Sequence, residues 1–210
     1  MHDPARSYDA LAVAYTDHLA GELAHKPFDR EFLDRFAGRI GGGELVLDLG
    51  CGPGHVGRHL HGLGLRVHGI DISPAMVAIA AARNPGMTFA VGDLLALESG
   101  GPPAAGAVAF YSIVHLSPAE LVDVFGGVHR SLRPGGPFGL AFHVGAEVRH
   151  VAELWGIEAD LDFVYFPTAT VVEALGRVGF VVEECVERDP YGPDVEAQTR
   201  RAYVMAVRPS

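Results

Sequence analysis

The chain has 210 residues, 49% of them apolar and 20% charged, which suits one domain with a sizeable core and excludes a disordered or low-complexity protein. Its formal net charge of −10, with Arg200–Arg201 as the densest basic cluster, speaks against a phosphate backbone as partner and favours a neutral or cationic small molecule. Two cysteines, Cys51 and Cys185, make no disulfide framework, and no apolar run approaches the ~20 residues of a membrane span.

The opening MHDPARSYDA has no basic start followed by an apolar run, so a cytoplasmic protein without membrane attachment is expected. From Tyr8 the apolar positions Leu11, Ala12, Tyr15 and Leu19 recur at helical spacing. After a break at Gly21 to Pro27, a second helical pattern runs through Phe28, Phe32, Leu33 and Phe36 to Gly38. The period then changes. ELVLDLG reads as a buried strand ending in glycines, HVGRHLHGLG as a helix and RVHGID as a second strand. SPAMVAIAAARN is a helix with Ser73 as its cap and Pro74 at its first position. MTFAVGD and GAVAFYSIV are strands, SPAELVDVFGGVHRSL is a helix, RPGG is a turn and PFGLAFHVG is a fifth strand. Residues 146–167 are irregular in pattern. TATVVEALGRVG is a helix, and FVVEECVER and RRAYVMAVRP are the last strands. This alternation predicts an α/β fold, a sheet with helices on both faces. The DPYGPDVEAQT connection is too short for a crossover helix, so the last strand is expected to be antiparallel.

VLDLGCGPGHVG admits two cofactor readings. GPGHVG satisfies the dinucleotide pattern, in which glycines let the backbone approach a pyrophosphate at a helix N-terminus. Asp48, at the strand end, would oppose a pyrophosphate but attract an ammonium group. Pro53, inside the match, has no N–H to offer a phosphate. Asp71 follows Asp48 by 71 − 48 = 23 positions and is placed to bind ribose hydroxyls in either reading. Asp93 ends the third strand, where it could accept the exocyclic amine of adenine, with the Leu94 N–H beside it.

With VLDLGCGPG, GIDISPAMV, VGDLLAL, FYSIVHLSPAEL and HRSLRPGG in this order, residues 44–145 resemble the class I S-adenosylmethionine-dependent methyltransferases. YSIVHL and YDALAVAYTDHL look most like small-molecule methyltransferases of bacterial metabolism. The resemblance implies a Rossmann-like seven-stranded mixed sheet with the last strand antiparallel, helices on both faces and an N-terminal helical cap. It also implies a single domain over 1–210, with the cap at 1–40, the core at 44–210 and a substrate-side insertion at 146–167. By the same resemblance S-adenosyl-L-methionine is the cofactor. Asp48, Gly50, Cys51 and Gly52 surround its methionine moiety and Asp71 holds the ribose. Ile72 and Met76 pack on the adenine, and Asp93 and Leu94 read the adenine edge. Tyr111 lies under the sulfonium side, and Tyr15 closes the cofactor from above. The HKPFDR segment makes Lys26 or Arg30 carboxylate partners.

Transfer from a sulfonium is an in-line displacement, and much of its rate can come from alignment. A base is needed only where the acceptor carries a proton of high pKa; His115 and His143 are the candidates, with Tyr15 counted beside them and His150 behind. Cys51, His55 and His59 recur every four residues but read as a helix surface, so no metal is expected. Tyr8, Tyr15, His25 and Phe28, together with Trp155, Phe163, Tyr165 and Phe166, could shape an apolar acceptor pocket. Glu196 and Arg201 read as a structural ion pair. The leading function is methylation of a small metabolite, in bacterial secondary metabolism. An oxidoreductase using NAD(P) and an S-adenosylmethionine-binding fold running a non-methylation reaction remain as alternatives.

Overall fold

The computed structural model describes residues 3–97 and 102–210. Helix α1 (Pro4–Leu19) starts where the Asp3 carboxylate accepts the Arg6 N–H at 3.3 Å and proline occupies the first turn. Helix α2 (Pro27–Gly38) again opens on proline. Then follow β1 (Leu45–Leu49), α3 (His55–Gly62), β2 (Arg66–Asp71), α4 (Pro74–Arg83), β3 (Thr88–Val91) and β4 (Gly106–Phe110). Helix α5 (Pro118–Ser131) carries a capping box: the Ser117 hydroxyl accepts the Glu120 N–H and the Glu120 carboxylate accepts the Ser117 N–H. The chain continues through β5 (Pro137–His143), β6 (Val148–Leu154), β7 (Ile157–Val164), α6 (Thr168–Arg177), β8 (Val181–Arg188) and β9 (Arg201–Val207).

Seven strands form one sheet in the order β3-β2-β1-β4-β5-β9-β8. The first five are parallel to one another, and β9 runs antiparallel to both β5 and β8. The expected mixed sheet is therefore present. Side chains alternate between its two faces. Leu47, Leu49, Phe138, Leu140 and Val204 pack with Leu121, Phe125 and Leu175 of α5 and α6. Val46, Val108, Tyr203 and Met205 pack with Phe32, Phe36 and Leu60 of α2 and α3. The strand order reverses between β1 and β4, so their carboxyl ends open a crevice of the kind in which ligands bind.

Residues 146–167 are not irregular. They contain the hairpin β6–β7, joined by Trp155 and Gly156, both at positive φ (51° and 77°), as a two-residue hairpin turn of the type I′ kind requires. Strand β7 presents Ala159 and Leu161 to Leu11 of α1, so the N-terminal helix and the hairpin share a small core of their own. At the other side of α1, Asp9 accepts both the Ser73 hydroxyl at 2.6 Å and the Ala75 N–H at 2.9 Å, which fastens α1 to the start of α4. Among the described residues, no helix is long and apolar enough to cross a membrane.

Candidate active site

A cavity of about 780 Å³ opens at the carboxyl ends of β1, β2 and β4. Its floor is the glycine loop after β1. Asp48 is 2% exposed and accepts the Gly57 N–H at 2.9 Å. Burial disfavours its charge and pushes its carboxyl up to about 6, against a smaller opposing pull from His55. Gly50 stands at φ 69°, and a Cβ there would overlap the Ser112 side chain, so the turn admits glycine alone. Asp71, at the end of β2, accepts the Gly52 N–H at 2.8 Å and the Ser73 N–H at 2.9 Å. Desolvation raises its pKa, opposed by these two bonds. Its carboxylate thus pins the glycine loop to the segment that starts α4. Beyond it Ile72, Met76, Asp93 and Leu94 line one end of the cavity, with the Asp93 carboxylate accepting the Leu95 N–H at 2.9 Å.

The opposite wall comes from α1, from the 3₁₀ turn Ile113–His115 and from the hairpin. Tyr15 lies over the glycine loop; a Cβ on Gly52 would meet its ring at 3.7 Å. It packs edge-on against Tyr8 at 5.9 Å and Trp155 at 6.0 Å. His115 is held at both nitrogens. Nδ1 lies 2.9 Å from the Asp162 carbonyl, which can only accept, so Nδ1 carries the proton and Nε2 accepts the Tyr8 hydroxyl at 2.8 Å. Desolvation holds the His115 pKa below the ordinary histidine value, with Asp162 opposing it. Tyr111 reaches the cavity at φ 54°, a strained position for a non-glycine residue, and its hydroxyl is bound to Tyr203 at 3.0 Å and Asp29 at 3.3 Å.

Tyr15, Asp48, Gly50, Cys51, Gly52, Asp71, Ile72, Met76, Asp93, Leu94, Tyr111 and His115 therefore share one cavity. His143 does not reach it. Strand alternation turns its ring to the α2 face, where it bonds Thr199 at 2.6 Å, stacks on Tyr165 at 5.2 Å and stands behind Tyr111. Burial, aided by Arg201 and Lys26, lowers its pKa to about 4. Lys26 and Arg30 also lie outside the lining: Lys26 is buried against Glu22 at 2.5 Å and Glu196 at 3.8 Å, and Arg30 donates to the Leu23 carbonyl. His55 is not on a helix surface. It is 8% exposed, lines the cavity and pairs with Glu22 at 3.0 Å, whereas His59 pairs with Asp34 at 2.8 Å. Glu22, Ser112, Glu120, Val148, Asp162 and Val164 also line the cavity, and no motif in the sequence singles them out. The expected ion pair of Glu196 with Arg201 is present at 3.0 Å.

The donor set discriminates between the two cofactors. Among the described residues lining the cavity, six are acidic (Glu22, Asp48, Asp71, Asp93, Glu120 and Asp162) and none is Lys or Arg. A pyrophosphate would face carboxylates with no Lys or Arg to balance it. S-adenosylmethionine fits: its ammonium and sulfonium charges suit the acidic wall, its ribose hydroxyls suit Asp71, and its adenine suits Ile72, Met76 and Leu94. The Nδ1 atom of His55, buried and without a hydrogen-bond partner, offers a further polar contact.

A match to the methyltransferase domain family covers residues 46–136. The chain is 28% identical over 154 residues to a malonyl-[acyl-carrier protein] O-methyltransferase of Serratia marcescens, covering 72% of this chain and 54% of that protein. It is 35% identical over 108 residues to an uncharacterized methyltransferase of Synechocystis, covering 48% of each chain. The chain thus spans about half the length of these two relatives. Its fold is like that of the protein in the DhpI–SAH complex, with a TM-score of 0.74 at 22% identity over 97% of this chain and 94% of that one. The cysteine-containing glycine loop, the ordered acidic strand ends and these likenesses agree: residues 46–136 match the methyltransferase domain, and the chain resembles the class I S-adenosylmethionine-dependent methyltransferases.

Proposed function

We propose that the protein transfers the methyl group of S-adenosylmethionine to a small-molecule acceptor, of the kind met in bacterial secondary metabolism. The observation that carries this reading is the acidic cavity at the switch point of the sheet, with no Lys or Arg among its described lining residues and with Asp48 and Asp71 on its floor. The cofactor, when bound, supplies an electrophilic methyl group. The chain's own part is to bind, align and exclude water. Asp48 and the loop from Gly50 to Gly52 hold the amino-acid end. Asp71 takes the ribose hydroxyls, Ile72 and Met76 cover the adenine, and Asp93 and Leu94 read its edge. Tyr15 closes the loop from α1, Tyr111 sits on the sulfonium side, and His115, held by Tyr8 and the Asp162 carbonyl, lines the remaining space.

Calorimetric titration with S-adenosylhomocysteine tests this. Wild-type protein is expected to bind one equivalent. Asp71→Asn, which keeps a carbonyl for one of the two N–H groups that the carboxylate accepts, is expected to bind about tenfold or more weakly, in line with the ~1.5–3 kcal/mol of hydrogen bonds to a charged group. Absent binding to wild type, or undiminished binding to the variant, overturns the reading; binding of NAD in its place supports the oxidoreductase.

A further inference from the structure

We propose that Tyr8 is a catalytic residue: it takes the proton of an uncharged O–H or N–H acceptor and passes its own to His115. The inference rests on the methyl-transfer reading above and specifies its acceptor. Three observations carry it. First, the direction of the chain of hydrogen bonds is settled by its far end. The Asp162 carbonyl can only accept, so His115 presents a bare Nε2, and the Tyr8 hydroxyl spends its hydrogen there at 2.8 Å. The Tyr8 oxygen is left with lone pairs and no hydrogen to give, so a molecule in the cavity can satisfy it only by donating. Second, both residues line the cavity, together with Leu116, Val148 and Val164, which offer an apolar seat for the body of the acceptor. Third, Glu120 and Asp162, the latter bonded to His150 at 2.9 Å, stand on the same wall, and no Lys or Arg is found among the described lining residues, so a carboxylate or phosphate acceptor would find neither to balance its charge.

The step balances. The acceptor gives its proton to the Tyr8 oxygen while the Tyr8 proton moves to His115 Nε2. The acceptor's freed lone pair forms the bond to the methyl carbon as the carbon–sulfur bond breaks. The positive charge lost at sulfur reappears as imidazolium, whose Nδ1–H already points at the Asp162 carbonyl. The titratable groups near the pair include Asp162 from β7, whose carboxylate bonds His150 at 2.9 Å, Tyr15 beside Tyr8 on α1 and, at Tyr8, Asp71 from β2. Burial keeps the Tyr8 phenol protonated and the His115 imidazole neutral, the states the relay needs at rest.

The test uses phenol and benzoate as probes. In protein loaded with S-adenosylhomocysteine, phenol is expected to bind at least tenfold more tightly than benzoate by calorimetry. With label on the methyl group of S-adenosylmethionine, phenol is expected to accept label. Tyr8→Phe, which keeps the ring that packs on Tyr15 and His115, is expected to lower kcat for phenol about 100-fold, the lower range for general base catalysis. It should leave S-adenosylhomocysteine affinity unchanged. For 4-nitrophenol, whose proton leaves readily, the same variant is expected to lose less than tenfold. Failure of wild type to bind S-adenosylhomocysteine sinks the methyl-transfer reading itself. Normal binding of it together with no label in phenol, tighter binding of benzoate, or an equal loss on both phenols, overturns the relay alone.

Discussion

Asp48 is a carboxylate held against its own preference. Its pKa stands at about 6 in the folded chain against 3.8 for the free group, so ionisation costs the native state about 2–4 kcal/mol at neutral pH. The sign follows from linkage: the folded value is raised, so the penalty is fully present above about pH 6 and fades as pH falls toward 3.8. Asp48→Asn retains an acceptor for the Gly57 N–H and removes the charge. It is expected to raise the melting temperature by several degrees at pH 7.5, at roughly 2–4 °C per kcal/mol, with the gain shrinking toward pH 4. Affinity for S-adenosylhomocysteine is expected to fall; a destabilised variant in urea denaturation contradicts the assignment. Asp48, Asp71 and the glycines were legible because one strand–helix–strand unit, β1–α3–β2, brings them together and because each sits where a strand ends. Glu22, His55 and Asp162 were not. Their partners lie far along the chain, as in the pair His55–Glu22, and no local pattern announces such a meeting.

The hairpin β6–β7 and helix α1 act as one element pair, and α1 supplies Tyr8 and Tyr15 to the cavity wall. Leu11, fully buried between them, holds the two together. Leu11→Ala is expected to cost about 2–5 kcal/mol, read as a fall in melting temperature of roughly 2–4 °C per kcal/mol. Because α1 carries Tyr15, proposed above to close the cofactor loop, S-adenosylhomocysteine affinity is expected to fall with it in the same calorimetric series. A fall in stability with affinity intact would place Tyr15 outside the binding surface. The strand β7 was open to reading in principle, since Ile157, Ala159, Leu161 and Phe163 alternate with acidic residues. The turn concealed it. Trp155 at positive φ is an uncommon choice where asparagine or aspartate would have signalled a hairpin. Its ring is stacked by His18 at 4.5 Å, a contact that comes from a helix more than a hundred residues earlier.

At the scale of the whole molecule, the α2 face of the sheet is crossed by a buried ionic network. Asp29, 1% exposed, accepts Arg188 at 3.0 Å and the Tyr203 hydroxyl at 2.7 Å, and Arg188 reaches on to Glu196 at 2.6 Å. Removing Asp29 takes one of the two carboxylates that hold Arg188 and strips the Tyr203 hydroxyl of its acceptor, so Asp29→Ala is expected to cost about 3–5 kcal/mol in urea unfolding. A cost below ~1 kcal/mol would mean that the network is solvated in solution. Alternating strands and helices, and one connection too short for a crossover, made the sheet readable from the chain. The network was not readable, because it joins α2, β8, β9 and the segment between those strands only after the sheet has formed. The position of β9 has a further bearing on how the molecule is made. Being inserted between β5 and β8, it leaves the backbone amides of β5 unmatched along one side until residue 207 has emerged. At ~5–20 residues per second of synthesis, that side stands open for several seconds on each ribosome. During that interval the nascent chain offers a ready template to any other extended segment nearby.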